Sequence, residues 1–261
     1  MKKPVKEKYI SNPFVLAYEA AKRLFNTNRG WAILFIVLGV LSVFSYTDDG
    51  QQQPANQSTA AMNQPEIAIS VALVVFVVSA VLLFIILIMI LASYLTGLFS
   101  YVALESEKGR KVTLKEASLA TREKFWDLLG SLLLAAVKIF GWTLLFVIPG
   151  IIAALRYALI GYVVMDTATK HRGVKVIHER TKTVTKGRLW EVLGITFTGA
   201  LPFVGTLLNT AGGAALYNQL KIYTDKKLKK PKIHWLNYLP GALLAAAVLG
   251  AVAGVVYTLQ K

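Results

Sequence analysis

The chain contains no cysteine in 261 residues, which excludes disulfides, thiolate metal sites and cysteine nucleophiles together. Histidine is nearly absent as well. His171, His178 and His234 are the only three, and none is paired with a carboxylate at metal-ligand spacing. His178-Glu179 lacks the second histidine of a zinc-protease helix. Acidic residues number 14 against 29 Lys and Arg. Around the apolar stretches they stand at the ends, as Asp127, Asp166 and Glu191 do. There is no nucleophile elbow, P-loop or dinucleotide fingerprint. These absences leave no acid–base pair, no metal site and no cofactor on which to found an enzyme. No cleavable signal peptide is expected, because about thirty polar or amphipathic residues precede the first apolar run and no cleavage pattern follows it.

Apolar residues and bases are what the chain does have. It is 55% hydrophobic with a mean hydropathy of +0.54, too apolar for an ordinary soluble domain. Of the 29 basic residues, 7 lie in 1–30, 6 in 105–126, 7 in 167–188 and 6 in 221–232; the rest are Lys138, Arg156 and Lys261. Apolar stretches separate these clusters. The formal charge of +15 is therefore interleaved with candidate spans, which points to anionic lipid headgroups rather than nucleic acid as the counter-charge. Basic loops stay on the cytoplasmic side during insertion. The expected location is thus the cell membrane, multi-pass, with the N-terminus and all four basic segments cytoplasmic.

After a basic tail, Asn12-Pro13 reads as a helix start, with Asn12 capping and Pro13 preset for the first turn. Phe14, Tyr18, Ala21 and Phe25 recur at helical spacing, flanked by Ala17 and Leu24, so this basic amphipathic helix is expected to lie flat on the inner leaflet, the competing expectation being that it packs against the protein's own cytoplasmic loops. Trp31–Tyr46 is the first span, short at about 24 Å. Thr47–Glu66 has no Lys or Arg and reads as a flexible external loop; its Asn56-Gln57-Ser58 sequon is a weak signal. The apolar stretch Ile67–Leu104 would measure roughly 57 Å as one helix, against a hydrocarbon core of about 30 Å. Either it projects into the cytoplasm or Gly97 bends it. Val112, Leu114, Ala117, Leu119 and Ala120 suggest a short surface helix between Glu105 and Trp126.

Parity decides the remaining turns. Segments 105–126 and 167–188 are both basic, so the chain crosses an even number of times between them. Pro149-Gly150 then marks a tight outer turn joining Asp127–Ile148 to Ile151–Asp166. By the same reasoning Pro202-Phe203-Val204-Gly205 turns Leu189–Leu201 back into Thr206–Tyr223, and the short first arm suggests a partly re-entrant hairpin. Trp235–Tyr257 is the last apolar segment. Trp31, Trp126, Trp190 and Trp235 all fall at the cytoplasmic ends of these spans, where indole rings prefer to sit.

Two charges inside apolar segments are the candidate functional residues. A base near a helix centre costs about 2.5–3.5 kcal/mol on insertion scales and marks function by default. Lys138 lies roughly 18 Å along its helix from Trp126, and Arg156 about 9 Å below the Pro149 turn. They suggest a cationic cavity for an anionic group such as a lipid phosphate. The competing expectation has Arg156 reaching back to the carbonyls freed at Pro149, and Lys138 snorkelling. After Asp166, Val174, Ile177 and Val184 alternate with bases up to Lys186-Gly187-Arg188, which reads as an interfacial helix able to meet anionic lipid through Lys186 and Arg188. Ala242, Ala246, Gly250 and Gly254 give the last segment a small-residue stripe, with Gly212 and Gly213 as its expected receiving surface.

Ile148-Pro149-Gly150-Ile151-Ile152, Arg156-Tyr157-Ala158 and Val163-Val164-Met165-Asp166 together resemble a group of bacterial and archaeal membrane proteins. These are the membrane domain attached to some glycerophosphodiester phosphodiesterases and its stand-alone relatives. That pattern continues with an amphipathic stretch carrying a Ser, here Thr181, and then Lys-Gly, here Lys186-Gly187. The resemblance covers roughly residues 10–224 and implies a non-catalytic membrane module concerned with lipids or envelope maintenance. No phosphodiesterase catalytic domain accompanies it.

The expectation is an all-α polytopic helical bundle of about seven spans. Residues 1–30 form a cytoplasmic tail and amphipathic helix, 31–224 a six-span core built from hairpins, and 225–261 a basic linker and C-terminal span. Its expected partners are anionic membrane lipids or a membrane protein. The alternative function is a transporter or channel with a cationic intramembrane site.

Overall fold

A computed structural model of the chain describes residues 9–45, 71–166, 173–229 and 231–259. The basic tail up to residue 8, the loop at 47–66 with its sequon, and His171 lie outside the described residues. Every regular element among the described residues is helical. Three stretches are long and apolar enough to cross a membrane: Leu73–Glu107, Phe125–Leu145 and Val147–Met165.

Helix α1 (Pro13–Thr27) starts as its sequence dictates. The Asn12 side chain accepts from the N–H groups of Phe14 and Val15, and Pro13 fills the first position. Its destination differs from the expectation of a helix on the leaflet surface. Leu16, Ala17, Ala20, Ala21 and Leu24 are buried inside the protein, while Tyr18 is 60% exposed and Phe25 faces outward. The alanine side wins because it permits close approach: a Cβ added at Gly212 would meet Ala17 Cβ at 3.0 Å. The helix ends at Asn28, whose buried amide donates to Ser106 Oγ and the Arg110 carbonyl and accepts from the Val112 N–H.

Helix α2 (Arg29–Ser45) follows, and α3 runs unbroken from Val71 to Glu107, roughly 55 Å by helix rise. Gly97 does not bend α3. It is a packing point, where a Cβ would fall 2.6 Å from Thr121 Cγ2 and 2.9 Å from Leu128 Cδ2. From Leu73 to Leu91 the large apolar side chains of α3 are exposed, whereas Leu98 to Leu104 belong to the core. Helix α4 (Leu114–Glu123) opens with a reciprocal cap between Thr113 and Glu116. It buries Ala117 and Thr121 but leaves Leu114 and Leu119 exposed, so its apolar residues are split between two faces.

Helix α5 (Phe125–Leu145) and helix α6 (Val147–Tyr157) form the expected hairpin, but the turn lies three residues earlier than predicted. Phe146 carries the extended backbone (φ −156°, ψ 137°), and Pro149 sits inside the first turn of α6. Proline is tolerated there because the first four N–H groups of a helix have no intrahelical partner. Gly150 is the contact that closes the hairpin, since a Cβ there would lie 2.2 Å from Thr143 Oγ1. Helix α7 (Ile160–Met165) continues α6 after a break at Ala158-Leu159.

Helix α8 (Val174–Thr185) arises from the basic segment after Asp166, and α9 (Leu189–Thr198) and α10 (Gly205–Asp225) form the second hairpin. Its turn is the predicted one: Phe203 adopts φ 64°, and Gly205 lies against the Gly199 carbonyl. With ten residues, α9 is about 15 Å long. Helix α10 is the centre of the core, packed by α1, α9, α3 and α2. Among the described residues, helix α11 (Leu239–Leu259) leans mainly on α9 and on the short turn Trp235–Tyr238. The expected seating of its small-residue stripe on Gly212 and Gly213 is therefore wrong. Ala17 occupies Gly212 and the Tyr162 ring occupies Gly213, while among the described residues a Cβ added at Gly250 or Gly254 would meet no other element within 4 Å. The two glycines are consumed by close packing within the core.

Candidate anion site

Helix α8 assembles the candidate site. Its polar sequence disguises a buried face, because Ile177, His178, Thr181, Val184 and Thr185 are all inaccessible. The two threonines need no outside partner: Thr181 Oγ1 donates to the Ile177 carbonyl at 2.8 Å, and Thr185 Oγ1 to the Thr181 carbonyl at 2.9 Å. Thr181 is thus a packing residue. Gly173 and Gly187, at φ 92° and 72°, bound the helix at positions where a side chain would be strained. The Lys186-Gly187 pair is consequently a helix stop.

This docking gives Lys138 a partner that the sequence reading missed. His178 Nε2 donates to the Ser131 carbonyl at 3.0 Å, which leaves Nδ1 as an acceptor facing Lys138 Nζ at 3.3 Å. The same ammonium lies 5.6 Å from the centre of the Tyr157 ring, a separation at which the ring face attracts it. Burial holds the His178 imidazole below its ordinary pKa, and the nearby Lys138 and Lys182 charges act in the same direction. The signal for this partner was the i, i+3 and i, i+4 spacing that puts His178 on the face of Ile177, Thr181 and Val184.

Arg156 is exposed and, among the described residues, its guanidinium makes no ion pair or hydrogen bond. It does not reach the carbonyls at the end of α5. Instead it lines a cavity of about 230 Å³ with Lys182, Thr185, Lys186, Gly187 and Leu189. No carboxylate is in that wall. Lys182 is held from the outside by Glu179 at 2.9 Å. A second cavity of about 200 Å³, lined by Trp142, Pro149, Ile152, Ala153 and Tyr157, lies on the other side of Arg156. Lys182 in the last turn of α8 and Lys186 at its C-cap, four residues apart, were the legible signal for the first wall.

The other candidates are elsewhere. Arg188 is buried and committed: it pairs with Glu191 at 3.0 Å, donates to the Pro231 carbonyl at 2.7 Å, and lies over the Tyr9 ring. Tyr9 in turn donates to Glu191. Arg188 thus ties the chain ahead of α1 and the linker before α11 to the start of α9, and it is no lipid contact. Asp166 is likewise structural, accepting from Tyr217 Oη at 2.8 Å and pairing with Lys221. Pro149, Gly150, Pro202 and Gly205 shape the two hairpins. Among the described residues no cluster of three or more His, Asp or Glu is placed to hold a metal. No family model, curated protein or solved structure matches the chain.

Proposed function

We propose that this is a non-catalytic, multi-pass membrane protein that holds the phosphate of an anionic lipid in the cavity of Arg156, Lys182 and Lys186. The observation that carries the reading is the wall itself: three cationic side chains around one opening, with no acid among its described lining residues. Arginine offers a planar fork suited to phosphate oxygens, and lysines add point charges. Lys138 stands behind this wall, held between Tyr157 and His178, and adds its field to the site.

In the membrane proposed here, about seven apolar segments are arranged with the N-terminus and basic segments cytoplasmic, and the α9–α10 hairpin turns back within the bilayer. Kinship with the membrane domain of glycerophosphodiester phosphodiesterases is part of the same proposal. It rests on residues 148–166 and on the Lys186-Gly187 helix stop.

Native mass spectrometry of the purified protein tests the reading. Anionic phospholipid is expected to co-purify, and Arg156→Leu is expected to weaken its retention about fivefold, the factor for one basic residue near a headgroup. An unchanged lipid complement in a folded Arg156→Leu protein would overturn it. A transporter with a cationic path is the second reading, favoured by the break between α6 and α7 beside Arg156, since interrupted helices often line substrate sites. Uptake of a small anion into vesicles containing the protein, lost in Arg156→Leu, would select it.

A further inference from the structure

A second recess, sharing no residue with the Arg156 cavity, lies where α3, α4 and α5 meet. Its volume is about 730 Å³. One wall is the apolar face of α3 at Leu87, Ile90 and Leu91. The floor is aromatic: Tyr94 and Phe125 lie 6.5 Å apart, and Trp126 meets Phe125 edge-on at 5.5 Å. Tyr94 keeps its polar end out of the recess by bonding Ser118 at 2.7 Å. Trp126 is 78% exposed, an indole left to the surroundings next to a long apolar wall. Arg122, in the last turn of α4, is the one charged residue lining the recess. Among the described residues its guanidinium has no ion-pair or hydrogen-bond partner.

The shape and the charge ask for the same occupant. From Leu87 to Tyr94 the wall extends roughly 10 Å along α3, which fits within one leaflet of a hydrocarbon core about 30 Å thick. The occupant must be apolar along that length and anionic at the Arg122 end. An added helix would satisfy the wall but would leave the guanidinium without a counter-charge. We infer that this recess is a binding groove for one acidic phospholipid of the cytoplasmic leaflet, with an acyl chain against Leu87, Ile90 and Leu91 and its phosphate on Arg122.

The test uses the full-length protein in vesicles containing a photoactivatable acyl-chain probe, carried either on phosphatidylglycerol or on phosphatidylcholine. Labelled peptides are mapped by mass spectrometry. Labelling of residues 87–94 and 125–126 is expected to favour the anionic probe about fivefold, the factor for one basic residue at a headgroup. Arg122→Gln is expected to bring that ratio to about one, and Ile90→Trp to remove labelling by both probes. Arg156→Gln is expected to leave the ratio unchanged, which separates this groove from the other cavity. Equal labelling by the two probes in the wild type, or a preference that survives Arg122→Gln, would overturn the inference. So would crosslinks from this face to a second copy of the chain in place of lipid.

Discussion

At the scale of single residues, the charges here divide by whether the fold satisfies them. Asp166 is buried and has Lys221 and Tyr217 as partners. Asp166→Asn keeps an acceptor for Tyr217 but leaves Lys221 without its counter-charge. The expected cost is about 2 kcal/mol, below that of a fully buried pair because Lys221 is partly accessible, and it is read as a lower unfolding midpoint in detergent. His178 carries a pH dependence of definite sign. Its imidazole is held neutral in the folded protein with its pKa lowered, so the unfolded chain binds more protons below its ordinary value of about 6.5. Stability is therefore fully present above that value and falls as the pH drops through it. Unfolding midpoints measured from pH 7.5 to 5 are expected to fall in the wild type, and the fall is expected to be shallower in His178→Gln. Lys138 was legible as an odd charge from its place in an apolar run. His178 was not legible as its partner, because the contact joins residues 40 apart through the docking of one helix on another.

At the scale of elements, small residues decide what packs where. Helix α1 was legible in its cap, and its alanine side rather than its aromatic stripe is the one that packs within the protein. Periodicity gives only that a face is apolar; the identity of the partner decides which side fits, and α10 presents Gly212 to Ala17. Gly212→Leu is expected to destabilise the protein by about 1–3 kcal/mol through overpacking, and to make α1 more sensitive to limited proteolysis. The Phe146 turn shows a similar limit. Proline and glycine flagged a hairpin correctly, but proline is equally at home in the first turn of a helix, so the break itself falls on an unremarked phenylalanine. Helix α8 was legible as amphipathic and not as buried. Its threonines look polar in sequence, yet each returns its hydroxyl to its own helix backbone.

At the scale of the whole molecule, the parity of basic segments constrains crossings without counting them. A hairpin that crosses twice and one that enters and returns both satisfy an even number. Helix α9, at about 15 Å, is too short to cross alone, whereas α3 has length to spare. The absence of native cysteine makes this measurable with single introduced cysteines and a reagent that cannot cross the membrane. A cysteine at position 60, in the proposed external loop, is expected to label from outside in intact cells. Val204→Cys, at the tip of the α9–α10 turn, is expected to remain unlabelled until the membrane is solubilised. Labelling of Val204→Cys from outside would instead make that hairpin a full crossing.

The unbroken course of α3 has a mechanical consequence. Its half from Leu73 to Leu91 presents bare apolar side chains while the half from Leu98 onward is clamped in the core by α1, α4, α5, α7 and α10, so the two halves form one stiff lever with its fulcrum near Gly97. A thinner bilayer makes a long apolar helix tilt. With no hinge to absorb that tilt, the rotation is delivered to the clamped end, where Ser100 and Thr96 bear on Gly161 beyond the break in the α6–α7 pair. In such a bilayer, thickness would act through a rigid arm on α7, one break away from the helix that carries Arg156.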